Sequence, residues 1–186
     1  MTLAFRRPDA AAPTSEDSCR SALRQLVGSV AIATTGLGEE RWATTATVSA
    51  LPGQAPALLV LARLASSFHK AVIEQRTFGI SMLSVRHAEL AGRLGRLQDV
   101  DALVAPDDTN WTPLESGTLV LADAMTAFDC TLDDIIARDS HALLIGRIRA
   151  ARTSPQGDPL LSWRGGYRSL VGAGDEWAPL IESYGA

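Results

Sequence analysis

Hydroxyl side chains are concentrated in two short segments of the 186-residue chain, Thr44–Ser49 and Ser66–Ser67. Each hydroxyl can donate one hydrogen bond and accept others, so this density indicates a ligand with many acceptor atoms, such as a phosphorylated cofactor. The same residues also have a purely structural explanation, because threonine forms strands well and serine often caps helices. Periodicity alone favours the structural explanation. Whether these hydroxyl groups also bind a ligand therefore depends on the elements around them.

The first segment belongs to the second strand of a predicted hairpin. Val30–Thr35 and Arg41–Ser49 are predicted as two strands joined across a Gly-Leu-Gly turn. Because side chains alternate along a strand, Thr45, Thr47 and Ser49 share one face of the second strand. This arrangement aligns three hydroxyl groups on a single surface.

The second segment opens a predicted helix. Ala57–Ala62 (ALLVLA) precedes it, has no polar side and is therefore predicted as a central strand covered on both faces. Ser66 and Ser67 then lead into the helical pattern of residues 68–76. The first turn of a helix has free backbone amides and is a common phosphate site. Plain capping accounts for the two serines equally well.

The remaining pattern predicts one domain that is mainly β. Residues 1–14 lack periodicity and are predicted as a mobile N-terminal tail, with the domain spanning 15–186. The other predicted elements are a helix from Ser15 to Val27, a strand at Thr77–Leu83, a helix at Ser84–Leu94, a loop over 95–117, strands at Met125–Asp134 and Ala142–Arg152, and two short strands around Gly165 and Gly166. About seven strands, three helices and no glycine-rich dinucleotide fingerprint favour a closed or partly open β-barrel with peripheral helices.

Composition narrows the classes of function. A formal net charge of −4 gives no cationic footprint for nucleic acid or anionic membranes. Cys19 and Cys130 lie on apolar faces of their segments and are predicted as buried free thiols, and His69, His87 and His141 form no local metal motif. Neither a signal-peptide core nor a membrane-spanning run is present, so a soluble, cytoplasmic protein is expected.

Six ordered segments carry a resemblance to a known family. They are GSVAIATT (28–35), WATTATVSALPGQAPALLVLA (42–62), LASSFHKAV (64–72), TFGISMLS with AELAGRLG (77–84 and 88–95), DSHALLIGRI (139–148) and PLLSWRGGYRSL (159–170). In this order they resemble the short-chain flavin reductase family, whose members have the FMN-binding split β-barrel fold and include the reductase components of two-component flavin monooxygenases. Each segment is weak alone, but six in the family's order are a strong signal.

The resemblance implies a set of cofactor-binding residues. Flavin contacts fall on Thr44, Thr45, Ala46 and Thr47, with Ser49 and Ala50 at the bend that follows, and the phosphate falls on Ser66 and Ser67. His141 matches the family histidine near the nicotinamide site, and Tyr167 and Arg168 match the closing segment that borders the same pocket. This chain departs from the family pattern at four positions, where Trp42, Ala50, Leu64 and Phe68 replace the more common Gly, Ser, Arg and Thr.

The implied activity is NAD(P)H-dependent flavin reduction, with FMN or FAD as flavin and NADH or NADPH as hydride donor. The cofactors carry this chemistry, so neither a catalytic side chain nor a metal is expected. The resemblance further implies a homodimer and a partner oxygenase that receives reduced flavin. Two alternatives keep the same fold: a non-enzymatic flavin-binding sensor or carrier, and a dimeric scaffold without a cofactor.

Overall fold

The computed structural model describes residues 15–37, 40–96, 102–103, 110–154 and 157–170. The predicted tail at 1–14 and everything after Leu170 lie outside these ranges. The helices are α1 (Glu16–Leu23), α2 (Ser67–Gln75), a 3-10 turn (Val85–His87) and α3 (Ala88–Arg96). The strands are β1 (Gly28–Ser29), β2 (Ala31–Leu37), β3 (Glu40–Leu51), β4 (Ala57–Arg63), β5 (Thr77–Met82), β6 (Ala102–Leu103), β7 (Trp111–Pro113), β8 (Leu119–Leu121), β9 (Thr126–Arg138), β10 (His141–Thr153), β11 (Leu161–Trp163) and β12 (Gly166–Arg168).

Six strands form a closed antiparallel barrel in the order β2-β5-β9-β10-β4-β3, and β3 pairs back onto β2. The long hairpins β2–β3 and β9–β10 supply most of the wall. The residues of β2 are buried on both faces from Ala31 to Gly36, whereas those of β10 alternate between buried and partly buried from His141 to Gly146. Strand β6 pairs with β3 outside this circle. The architecture confirms the predicted mainly β barrel with peripheral helices.

Alternate residues of β2 face two different hydrophobic clusters. Ala31 and Ala33 belong to an inner cluster inside the barrel, whereas Ile32 belongs to an outer cluster beneath α3 and β8. Phe78 is fully buried in the inner cluster, and Gly146 makes room for its ring: a Cβ at Gly146 would lie 2.2 Å from Phe78 Cζ. The barrel interior is therefore a filled core and holds no ligand space at that level.

A second, three-stranded sheet of β1, β11 and β12 stands beside the barrel. Three buried residues tie it to the barrel through a ring of backbone hydrogen bonds. Val30 N–H donates to Leu160 O at 3.1 Å, Leu160 N–H donates to Leu83 O at 2.9 Å, and Leu83 N–H donates to Val30 O at 3.0 Å. This junction, called the Val30 ring below, fixes the distance between the small sheet and the barrel wall.

Helix α2 closes one end of the inner cluster with Phe68 and Val72, as its apolar pattern predicts. Ser66 is its N-cap and accepts a hydrogen bond from His69 N–H at 3.1 Å. Arg76 ends the helix in the left-handed conformation at φ 58°, and its guanidinium donates to Leu132 O at 3.0 Å. The Ser66 cap fixes where the helix begins, and the Arg76 contact ties its end to β9.

Two predictions about burial are wrong. Cys19 is exposed, because α1 buries none of its residues in the single chain. Leu61 is 46% exposed, so β4 is not covered on both faces. Cys130 is buried as predicted, and burial, followed by the neighbouring Asp129 carboxylate, raises the pKa of its thiol to about 12.

The predicted loop over 95–117 is also partly wrong, because β6 and β7 fall inside it. Strand β8, which pairs with β7, has no counterpart among the predicted elements. In the described part of the chain, no helix is both long and apolar enough to cross a membrane.

Candidate functional site

A cleft of about 1120 Å³ separates the barrel wall from α3 and the small sheet. Pockets for one drug-sized ligand usually measure roughly 300–1,000 Å³, so there is space for more than one flat ring. Its lining residues are Ser29, Val30, Ala43, Thr44, Thr45, Ala46, Thr47, Leu61, Ala62, Arg63, Ala65, Ser66, Phe68, Gly92, Leu94, Gly95, Arg96, Ser140, His141, Ser162, Gly165, Gly166 and Tyr167.

Strand β3 changes partners where it meets the cleft. It pairs with β2 as far as Ala46 and with β4 only from Thr47 onward, while β6 reaches only Trp42 and Ala43. Residues Thr44–Ala46 therefore pair with β2 alone, and their other edge has no strand partner among the described residues. Backbone groups on such an edge need another partner, so this stretch can bind a ligand through its main chain.

The side chains of β3 divide between the barrel interior and the cleft. Ala46 belongs to the inner cluster, and Ala43 belongs to the outer one. Because faces alternate, Thr45 and Thr47 point out of the barrel on the same face as Ala43. The cleft therefore receives main-chain groups from 44–46 together with the hydroxyls of Thr45 and Thr47.

Ser66 and Arg63 form one corner of the cleft. The Ser66 N–H and hydroxyl both donate to Arg63 O, at 3.1 and 2.7 Å, so the turn between β4 and α2 is tightly held. Leu64, which stands where the family often has arginine, packs against the inner cluster instead. Arg63 lines the cleft one residue earlier, and sequence reasoning missed it. The leucine at position 64 could have pointed to Arg63, because an arginine one residue earlier can take the place of the family arginine that is missing at 64.

His141 stands on the rim beside that corner. It is the first residue of β10 and lies opposite Arg63 in the β4–β10 pairing. A hydrogen bond of 2.9 Å joins Ser140 Oγ and His141 Nδ1. This contact orients the imidazole from a turn in which Asp139 adopts a left-handed φ of 48°.

Tyr167 borders the opposite side of the cleft. Arg164 and Gly165 take left-handed φ values of 51° and 76°, which suit a tight two-residue hairpin between β11 and β12. Tyr167 then pairs with Ser162 across this hairpin. Arg168 follows, with its guanidinium 6.0 Å from the Trp163 ring centroid and Nη1 donating to Tyr167 O at 2.7 Å.

The structure brings most of the predicted site residues together. Those that line the cleft are Thr44, Thr45, Ala46, Thr47, Ser66, His141 and Tyr167. Those that do not line it are Ser49, Ala50, Ser67 and Arg168. Ser49 and Ala50 lie further along β3, exposed and paired with Leu59 and Leu58. Binding of a cofactor by any of these residues stays a prediction.

The charge of the cleft contrasts with that of the chain. The net charge is −4, yet none of the described lining residues is aspartate or glutamate, and two, Arg63 and Arg96, are cationic. A cleft with this lining favours anionic ligands. Hydroxyls, an unpaired strand edge and two guanidinium groups together fit a phosphorylated flavin. Among the described residues, no group of three or more His, Cys, Asp or Glu side chains could hold a metal ion.

Comparison with known proteins agrees with this geometry. The profile of the family described as flavin reductase like domain matches residues 23–171. The chain belongs to the flavin reductase family. An FMN reductase (NADH) RutF of Methylorubrum extorquens is 33% identical over 162 residues, which are 87% of this chain and 80% of that protein. The family, the fold and the class of enzyme predicted from the sequence are thereby confirmed.

Solved structures of flavin reductases share the fold. The NADH:FAD oxidoreductase SgcE6 of Streptomyces globisporus, in complex with NAD and FAD fragments, superimposes with a TM-score of 0.77 at 20% identity, covering 90% of this chain and all of that one (100%). BorF, the flavin reductase component of a bacterial two-component tryptophan halogenase, gives 0.74 at 22% identity, covering 84% of this chain and 98% of BorF.

Proposed function

We propose that this member of the flavin reductase family is an NAD(P)H-dependent flavin reductase that acts on FMN or FAD. The observation that carries the proposal is the edge of β3 at Thr44–Ala46. It has no strand partner among the described residues and opens into a large cleft with two arginines and no carboxylate among its described lining residues. A flavin presents a polar ring edge and a phosphate, and these match the strand edge and the cationic corner.

The chain's own residues bind and orient the reactants in this proposal. The main chain of Thr44–Ala46 and the hydroxyls of Thr45 and Thr47 bind the ring edge and ribityl chain. Arg63 binds the phosphate at this corner, where Ser66 holds the turn by donating its N–H and hydroxyl to Arg63 O. When bound, the nicotinamide and flavin together would supply hydride transfer, which requires orientation rather than a protein acid or base.

His141 and Tyr167 shape the place of the second ring. His141, held through its Nδ1 by Ser140, stands on the rim where the nicotinamide enters. Tyr167 borders the opposite side of the cleft and would limit the access of water to the bound rings. Excluding water matters because reduced flavin must survive until it is released or used.

Reduced flavin would then be passed to a partner oxygenase. The comparison with BorF, a reductase component of a two-component halogenase, supports this part of the proposal. Pairing of two chains is supported by exposed apolar side chains at the end of α1 and just beyond it, since Leu23, Leu26 and Val27 are 64%, 69% and 60% exposed. The homodimer and the cytoplasmic location stay predictions.

The test is a flavin-dependent oxidation assay with purified protein. NADH and NADPH are each combined with FMN, FAD or riboflavin, and the loss of absorbance at the nicotinamide band is followed. We expect fast oxidation with at least one phosphorylated flavin and a clear preference for one donor. Flavin binding without oxidation above the protein-free background would instead identify a flavin carrier, and the absence of flavin binding would leave only a scaffold.

A further inference from the structure

The α3 side of the cleft contains a trough lined by other residues than Thr44–Thr47 and Arg63, which bind the flavin in the proposed function. Its floor is the helix backbone at Gly92 and Gly95, which lie three residues apart and so share one face of α3. Its walls are Arg96 and Tyr167. A Cβ placed on Gly92 would lie 3.9 Å from Arg96 Nη2 and 4.0 Å from Tyr167 Cε2. The guanidinium and the phenol ring therefore stand side by side over a floor without side chains.

We propose that this trough binds the adenosine diphosphate half of a dinucleotide whose reactive ring lies over β3. The inference rests on the proposed function, which supplies the dinucleotide. Arg96 provides a planar, permanently charged group for a phosphate, and the Tyr167 ring provides an aromatic surface for adenine. The two glycines leave a flat group room to lie against the helix.

The position of Arg96 strengthens this assignment. It is the last residue of α3, where the helix dipole is negative and would repel a phosphate. The Arg96 guanidinium folds back over Gly92, and its positive charge offsets the negative end of the helix dipole on the side that faces the cleft. None of the described lining residues is a carboxylate, so no acidic lining side chain competes for its charge.

This trough and the Arg63–Ser66 corner are separate phosphate sites. Arg63 and Ser66 belong to β4 and the start of α2, whereas Arg96 and Tyr167 belong to α3 and β12. A ligand with a single phosphate needs one of them. A dinucleotide, or two ligands bound together, can use both, and this separation makes the proposal testable.

The shared chemistry occurs in both FAD and NADH, and truncated ligands distinguish them. One arm compares the dissociation constants of FAD and FMN by fluorescence quenching. The other compares KM for NADH with KM for reduced nicotinamide mononucleotide, which lacks the adenylate. The variants are Arg96→Ala and Gly92→Leu. The matched control is Arg93→Ala, which removes an exposed arginine of the same helix that does not line the cleft.

We expect each trough variant to weaken the ligand that carries the adenylate about ten-fold and to change its truncated form less than two-fold. Arg93→Ala should change neither ratio. Gly92→Leu guards against misfolding, because leucine favours a helix more than glycine does, while its side chain fills the trough. A shift confined to the FAD/FMN ratio assigns the trough to FAD, and one confined to the donor ratio assigns it to NADH.

If neither the FAD/FMN ratio nor the donor ratio changes in either variant, the trough does not bind the adenylate. The proposed reductase function would be unaffected by that result. If the wild-type protein oxidises no nicotinamide, the proposed function fails separately. Calorimetric titration with ADP-ribose then decides the trough alone: weaker binding to Arg96→Ala than to Arg93→Ala supports it, and equal binding or none to the wild type refutes it.

Discussion

Arg63 and His141 lie directly opposite each other on the paired strands β4 and β10, and both line the cleft. Opposed residues of an antiparallel pair project from the same face, so a guanidinium and an imidazole stand side by side at its rim. In the proposed function, the flavin phosphate and the nicotinamide therefore meet neighbouring side chains of one sheet.

Arg63→Ala should weaken binding of FMN about ten-fold while leaving that of riboflavin nearly unchanged. A charge-assisted bond to phosphate is worth roughly 1.5–3 kcal/mol, and riboflavin has no phosphate to lose it. Fluorescence titration with both flavins measures the difference. Arg138→Ala is the matched control, since Arg138 faces His141 from β9 but does not line the cleft. Equal weakening of both flavins would assign Arg63 a structural role instead.

Ser66→Ala should lower the free energy of unfolding by about 1 kcal/mol, because it removes the N-cap that accepts from His69 N–H. Urea denaturation followed by circular dichroism measures this change. Ser15→Ala removes the corresponding cap of α1, a helix without buried residues. Ser15→Ala should fray α1 and leave the midpoint of the main urea unfolding transition unchanged. Identical losses from the two substitutions would contradict the anchoring of α2 on the barrel.

Gly146→Ala should destabilise the barrel by about 1–3 kcal/mol, since the new Cβ would lie 2.2 Å from Phe78 Cζ. Phe78→Leu in the same chain should restore part of the loss, because the smaller side chain vacates the contact. Gly53→Ala serves as the comparison, as nothing lies within 4 Å of its added Cβ. A stable Gly146→Ala protein would mean that the core at this level is loosely filled.

Native protein should expose one reactive thiol to a disulfide reagent, and unfolded protein two. Cys19 is exposed and Cys130 is buried. Burial, and then the Asp129 carboxylate, raises the Cys130 pKa from 9.0 to about 12. Rapid labelling of two thiols in native buffer would contradict this burial.

The same pKa shift makes stability depend on pH on the alkaline side. Below pH 9 the Cys130 thiol is protonated in both states, and between pH 9 and about 12 only the unfolded chain loses the proton. The free energy of unfolding should fall across this window by up to about 1.4 kcal/mol per pH unit. Cys130→Ala removes that part of the slope, so a wild-type slope no steeper than the variant's would refute it.

Local patterns predicted the parts of the fold that depend on alternation or on a cap. The β2–β3 hairpin, the start of α2 at Ser66 and the β9–β10 turn all follow from neighbouring residues. Burial depends on which element lies opposite, so the apolar stripe of α1 and the open face at Leu61 could not be predicted. Strands as short as β7 and β8 contain too few residues to show a period.

The residues of the candidate site also fall into two groups, those that local spacing predicts and those that depend on how distant elements pack. The threonines of β3 and the serine cap stand out in the sequence because their spacing is local. Arg63 and Arg96 become cleft residues only when β4 and α3 are set around the barrel, and no spacing within either segment indicates that they share a cavity. The edge at Thr44–Ala46, which lacks a strand partner in the described part of the chain, likewise depends on how β2, β4 and β6 pair with β3.

The Val30 ring sets the width of the cleft when the chain folds. Its three hydrogen bonds are main-chain contacts between buried residues, so no ligand has to draw the two walls together. Folding itself therefore bears the entropic cost of fixing the distance between the barrel wall and the small sheet. A ligand that binds in the cleft does not bear this cost, so more of its interaction energy contributes to its affinity. In the proposed function, flavin and nicotinamide would thus bind in a cleft whose walls are already spaced before either ligand arrives.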